Sequence, residues 1–187
     1  MAFTQLDPKT ALVLIDLQKM IVNRPNLGPY SAAEIIKNCN LLITAFRKKQ
    51  LPIVLVNVIP ADRPAHWRSE VKMTVGVFQP EWAEIVPEIE VHSTDILITK
   101  NTWSAFYNTP LHEQLQQLGV TGIVLGGIAT SIGVEATARA AYERMYNVSF
   151  AMDAMTDLNG PSHAHSQAYI FPRIGEVGNT QDIINLL

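Results

Sequence analysis

The sequence predicts an α/β/α sandwich built on a parallel sheet. Short apolar runs without polar alternation recur at 11–16, 53–59, 95–99, 122–125 and 148–152, which is how strands covered on both faces read. Amphipathic helical stretches lie between them, so β and α signals alternate along the chain. With 187 residues, 48% of them hydrophobic, the chain has the material for one domain, spanning 1–187, with a sizeable core.

Composition narrows the function. A formal net charge of −3 and the lack of any basic run give no long-range attraction for nucleic acid or anionic lipid. No apolar run approaches the about 20 residues of a membrane span, and MAFTQLDPKT lacks the layout of a signal peptide. The expected location is cytoplasmic. The one cysteine, Cys39, excludes an internal disulfide and a multi-cysteine metal site. Ile35, Ile36, Cys39, Leu42, Ile43 and Phe46 form one helical apolar stripe, so Cys39 is read as a small core residue.

The first strand, ALVLID, delivers Asp16 at its carboxyl end. Leu17 and Gln18 follow, then a turn-rich loop, NRPNLGPY. Ser31 and Glu34 make a capping box for a helix reaching about Gln50. The strand IVLVNVI ends at Pro60 and completes a right-handed βαβ unit. Residues 61–94 break the pattern. So long an irregular stretch suggests a lid over the site, with Arg63, His66, Trp67 and Arg68 as substrate contacts, or else an ordinary excursion with Trp67 and Trp82 packed inward.

The third strand, DILIT, is followed at once by Lys100, on the same edge as Asp16. A helix over 111–118 stops at Gly119 and leads into a strand at 122–125. Gly126 and Gly127 are expected to stop that strand. Thr130 and Ser131 are expected to cap the helix that starts near Val134, leaving turn amides free as an anion or oxyanion site. The strand VSFAM, a turn TDLNGPS, a helix over 162–170, a short strand at 174–177 and a final helix, TQDIINLL, complete the chain.

Asp16, Lys100 and the turn ending at Gly133 therefore meet at the carboxyl ends of strands, where open α/β sheets bind ligands. A shielded carboxylate and ammonium can hold each other's charge and move a proton; a structural salt bridge is the alternative. Trp103, Ser104 and Phe106, beside Lys100, either wall the pocket or pack the loop.

LIDLQ with Asp16, KNTWSAF with Lys100 and GGIATSIGVEATARAA together resemble the isochorismatase-like hydrolase superfamily over nearly the whole chain. The resemblance implies a Rossmann-like parallel sheet of six strands in the order 3-2-1-4-5-6, and a non-proline cis peptide between Ile128 and Ala129. Most members carry an Asp, Lys and Cys triad, the cysteine starting the helix after the fourth strand. Here that position is Gly133, and without a thiolate the acyl-enzyme route of amidohydrolases is disfavoured. The metal pattern of nicotinamidases is incomplete: Asp62 and His66 lack a second histidine, and His163 and His165 are too weak a signal. No metal or other cofactor is expected.

Glycine at this position resembles the isochorismatases proper, which cleave an enol ether to pyruvate and a dihydrodiol without a covalent intermediate. On that reading Asp16 protonates the vinyl carbon, Lys100 orients Asp16, and Gly133 makes room for substrate. Lys100 lowers the aspartate's pKa where a general acid needs it raised, so burial or substrate carboxylates must offset it. Gln18, Ile128, Ala129, Thr130, Arg63 and Arg68 complete the expected substrate contacts. Two alternatives stand beside this: a binding protein that retains the pocket, and an amidohydrolase with Ser131 or Thr130 as nucleophile. The expected partners are a small-molecule substrate and further copies of the chain, as a homodimer or homotetramer, with no nucleic acid and no membrane.

Overall fold

The structure, a computed structural model, describes residues 3–62, 64–70 and 78–187. Six parallel strands form one sheet in the order β3-β2-β1-β4-β5-β6. They are β1 (Thr10–Ile15), β2 (Ile53–Val58), β3 (Ile96–Lys100), β4 (Gly122–Ile128), β5 (Asn147–Thr156) and β6 (Glu176–Gly178). The strand order reverses between β1 and β4, which makes their carboxyl ends the switch point where ligands of such sheets bind.

Alternate residues of β1 feed two cores. Ala11, Val13 and Ile15 face a layer built from α3 (Leu111–Gln117) and α4 (Glu135–Glu143). Leu12 and Leu14 face α2 (Ala32–Lys48) and α6 (Thr180–Leu186). The capping box of α2 is present: Ser31 Oγ accepts from the Glu34 backbone N–H, and Glu34 accepts from the Ser31 N–H at 2.9 Å. Cys39 lies on the buried stripe of this helix, its Sγ 3.5 Å from the Ala154 carbonyl oxygen. Burial pushes its thiol well above the ordinary range, so it is an inert core residue.

The sequence reading misplaces two elements, for the same reason. β4 runs through Gly126 and Gly127 to Ile128 rather than stopping at them. The glycines are there because neighbouring backbone approaches closely: a Cβ on Gly127, at φ +110°, would stand 2.1 Å from the Ile15 carbonyl oxygen. Beside them β5 extends to Thr156, with a register irregularity between Leu125 and Gly127, so Asp157 stands at a strand end and not within a turn.

Short elements unmarked by periodicity complete the fold: α1 (Lys19–Val22) and a 3₁₀ turn, Pro80–Ala83. Beyond β5, α5 (Gly160–His165) runs on as a π-helical turn, Ser166–Ile170, covering the expected helix at 162–170 with an earlier start. The 61–94 stretch divides. Ala83, Val86 and Ile89 are buried, the Val86 N–H donates to the Leu17 carbonyl at 3.0 Å, and Ile85 bridges to Gln18, so 79–90 is strapped onto the body. Residues His66, Trp67 and Arg68 are exposed; Trp67 is not packed inward. Arg63 lies outside the described residues.

Candidate active site

Asp16 follows the last residue of β1 and adopts φ +55°, a left-handed backbone that Asp tolerates better than most residues. Its N–H donates to the Val56 carbonyl at 2.8 Å, which ties it to β2. Lys100 ends β3, two strands away in the sheet, and its long side chain spans the width of β2 to reach Asp16. Lys100 Nζ donates to Asp16 Oδ2 at 2.8 Å and to the Thr102 carbonyl at 3.2 Å. The two side chains are 2% and 7% exposed, so this ion pair is shielded from water.

Asp16 Oδ1 is buried and has no hydrogen-bond partner among the described residues. Burial is the largest influence on this carboxyl, followed by the charge and the hydrogen bond of Lys100, which oppose it; the net result is a pKa raised to about 6. The tension between a neighbouring ammonium and a general acid is therefore resolved by desolvation.

The third part is the turn after β4. The peptide between Ile128 and Ala129 is cis, as the resemblance implied. A π-helical turn, Thr130–Val134, then leads into α4, and Gly133 packs against the pair: a Cβ there would lie 3.2 Å from Asp16 Oδ2 and 3.3 Å from Lys100 Nζ. Thr137 fixes this placement, its hydroxyl donating to the Gly133 carbonyl at 2.7 Å and accepting from the Ala105 N–H at 3.0 Å. Turn and Lys100 loop are thus joined through one buried hydroxyl.

Thr130 and Ser131 do not cap the helix with their side chains. The Ser131 N–H instead donates at 2.6 Å to the carboxylate of Asp157, 1% exposed, so the anion at this end of the turn is supplied by the chain itself. Thr130 is fully buried, and its hydroxyl meets His163 Nδ1 at 2.8 Å.

The remaining expected contacts are distributed unevenly. Ile128, Ala129 and Thr130 line the strand end and turn that lead to Gly133, all buried. Gln18 has its amide engaged by backbone: Nε2 donates to the carbonyls of Val58 (3.0 Å) and Trp82 (3.1 Å), and Oε1 accepts from the Val58 N–H at 2.6 Å. It pins β1, β2 and the strap together. Phe106 is core: its ring stacks on Tyr146, with His112 against its edge and Arg144 over its face. Ser104 Oγ accepts from the Phe106 N–H at 3.2 Å, so it serves the loop. Trp103 and Arg68 are exposed.

Asp157 and Thr137 are what the sequence reading missed, and it weighed His163 only as a weak metal signal. The signal for His163 was available: Asn159 caps α5, its Oδ1 accepting from the Ser162 N–H, and that cap sets His163 on the inward face. Among the described residues, no group of three or more His, Cys, Asp or Glu stands together to hold a metal ion. None of the described helices is long and apolar enough to cross a membrane.

The fold is a doubly wound parallel sheet with a buried aspartate–lysine pair at its switch point. The isochorismatase domain matches residues 10–182, and the chain belongs to the isochorismatase family. It is 40% identical over 186 residues to the uncharacterized isochorismatase family protein YwoC of Bacillus subtilis, covering 94% of this chain and 93% of that protein. An isochorismatase family protein from Burkholderia thailandensis superimposes with a TM-score of 0.86 at 37% identity, over 98% of this chain and 97% of that one. Named chemistry varies among further relatives: nicotinamidase 3 of Arabidopsis thaliana is 37% identical over 160 residues, covering 82% of this chain and 76% of that protein. Enterobactin synthase component B of Escherichia coli K12 is 28% identical over 179 residues, covering 94% of this chain and 62% of that protein.

Proposed function

We propose that this hydrolase cleaves an enol ether of a small anionic metabolite, isochorismate being the reference compound, with Asp16 as general acid. One observation carries the reading. The buried Asp16 faces Gly133, so no nucleophile stands where a side chain would touch both Asp16 and Lys100. A reaction that begins with proton transfer needs no such nucleophile, whereas acyl transfer does.

In this mechanism the protonated Asp16, with its pKa near 6, delivers its proton to the terminal vinyl carbon. The carbon–carbon double-bond electrons take that proton, and the ether oxygen stabilises the oxocarbenium ion. Water adds to the cation and returns a proton to the Asp16 carboxylate, and the hemiketal collapses to a ketone and an alcohol as its hydroxyl proton passes to the leaving oxygen. Lys100 holds the Asp16 carboxylate after transfer through its 2.8 Å hydrogen bond. Gly133 puts no side chain against Asp16 or Lys100.

The test is turnover of isochorismate by the purified protein, with pyruvate release coupled to lactate dehydrogenase, beside Asp16→Asn. Turnover that the variant abolishes supports the reading. Binding without turnover would replace it with the binding-protein alternative. The substitute-nucleophile alternative falls on Thr130 or Ser131; Thr130 is fully buried with its hydroxyl on His163, and a covalent adduct with an amide or ester probe would be its signature.

A further inference from the structure

We propose that His163 is a positioning residue for the reacting acid: by holding the Thr130 hydroxyl it fixes the turn whose Gly133 closes off Asp16. The proposal rests on the reading of Asp16 as the reacting group, but its test needs no substrate.

Two successive residues of the turn are clamped from the segment after β5. Thr130 Oγ1 meets His163 Nδ1 at 2.8 Å, both side chains being buried, and the Ser131 N–H meets Asp157 Oδ2 at 2.6 Å. Gly133 lies within the same π-helical turn, and its Cβ position is 3.2 Å from Asp16 Oδ2. Nothing softer than this short turn separates the clamp from the acid. A displacement of Thr130 moves Gly133 and admits water to the buried carboxyl.

The surroundings of the imidazole fit a fixed rather than a titrating role. The Tyr30 ring stands edge-on to it at 6.0 Å, and Tyr30 is itself tied to Thr156 by a hydrogen bond from the Thr156 hydroxyl to the Tyr30 carbonyl at 2.8 Å. Burial lowers the His163 pKa, with a smaller opposing pull from Asp157, which leaves a neutral ring at pH 7. The other histidine of α5, His165, is exposed and lies against Tyr169. An apolar pair would fill this space without demanding one orientation. A hydroxyl and an imidazole nitrogen in a buried site accept only one, and that is what positioning requires.

The test follows the Asp16 carboxyl directly by ¹³C NMR across pH in the wild type, His163→Ala, His163→Asn and Thr130→Val. Asparagine places an amide atom where Nδ1 stood, and valine keeps the shape of threonine while removing its hydroxyl. The expected result is an Asp16 midpoint in His163→Ala and Thr130→Val lower than wild type by about half a unit or more, as water reaches the carboxyl. Amide exchange at 130–134 rises about tenfold in the same two variants. His163→Asn restores both. If Asp16 and the turn amides behave as wild type while only the melting temperature falls, His163 merely supports the fold and the proposal is overturned. A shift in His163→Ala that Thr130→Val does not share overturns it too, because packing and not the hydrogen bond would then be responsible. Should His163→Ala fail to fold, Thr130→Val and His163→Asn decide the matter.

Discussion

Gly133 meets Asp16 with no side chain between them: a Cβ on the glycine would lie 3.2 Å from Asp16 Oδ2. Its φ lies outside the left-handed range, so the backbone accepts a side chain, although Ile15 Cγ2 at 3.0 Å must yield. Gly133→Cys is expected to fold, at a cost of about 1–3 kcal/mol from overpacking, and to place a thiol against Lys100. Native alkylation with iodoacetamide followed by mass spectrometry should find one modified residue in the variant and none in the wild type, whose Cys39 is buried. Alkylation of Cys39 in the folded wild type would contradict the packing of α2.

If the acid form of Asp16 is the reactive one, kcat/KM should be flat below pH about 6 and fall tenfold per unit above it. Stability has the same sign. The folded-state pKa of Asp16 is raised, so its contribution is fully present below pH about 4 and is lost as pH rises through about 6. Denaturation curves across pH 4–8 for the wild type and Asp16→Asn should show a flatter profile in the variant. A profile unchanged by the substitution would mean that Asp16 does not titrate in this interval.

Lys100→Met removes the only described cation touching the Asp16 carboxyl. The expected consequence is a loss of about 3–5 kcal/mol at pH 8, because a buried carboxylate is left uncompensated. The loss should shrink at pH 5, where the carboxyl takes up a proton. Adding Asp16→Asn should recover part of it, and strictly additive effects of the two substitutions would show that the pair is not coupled.

Gln18→Leu tests whether the amide serves structure or substrate. Three hydrogen bonds to the backbone of Val58 and Trp82 vanish, leaving partly buried peptide groups without these partners, so stability should fall by about 1–3 kcal/mol. KM for any turned-over substrate should change less than kcat. A raised KM with an unaltered melting temperature would mark Gln18 as a substrate contact.

The architecture was legible because parallel strands buried on both faces have no polar alternation to disguise them, and ALVLI, IVLVNV and GIVL read as strands on that ground alone. Asp16 and Lys100 were legible for the same reason: each is a charge placed at the end of an apolar run. Gly126 and Gly127 misled, since glycine marks both a chain reversal and a close approach of two backbones, and only the neighbours from other strands, Ala154 beside Gly126 and Ile15 beside Gly127, distinguish the two cases. Misplacing the end of β5 then hid Asp157 within a supposed turn. Phe106 and Gln18 lie next to the site in sequence but are drawn into the core and the backbone network by partners from distant segments, Tyr146 and Trp82. No local pattern announces such partners.

The ion pair joins residues 84 positions apart, and the glycine that completes their enclosure comes later still, on the far side of β4. A chain emerging from the ribosome therefore holds Asp16 early, Lys100 midway and Gly133 last, and β4 must enter beside β1 before the three can meet. Partly folded forms carry the acid without its enclosure. Turnover in this protein therefore reports on the joining of β1, β3 and β4: its regain after dilution from denaturant should not precede the pairing of β4 with β1.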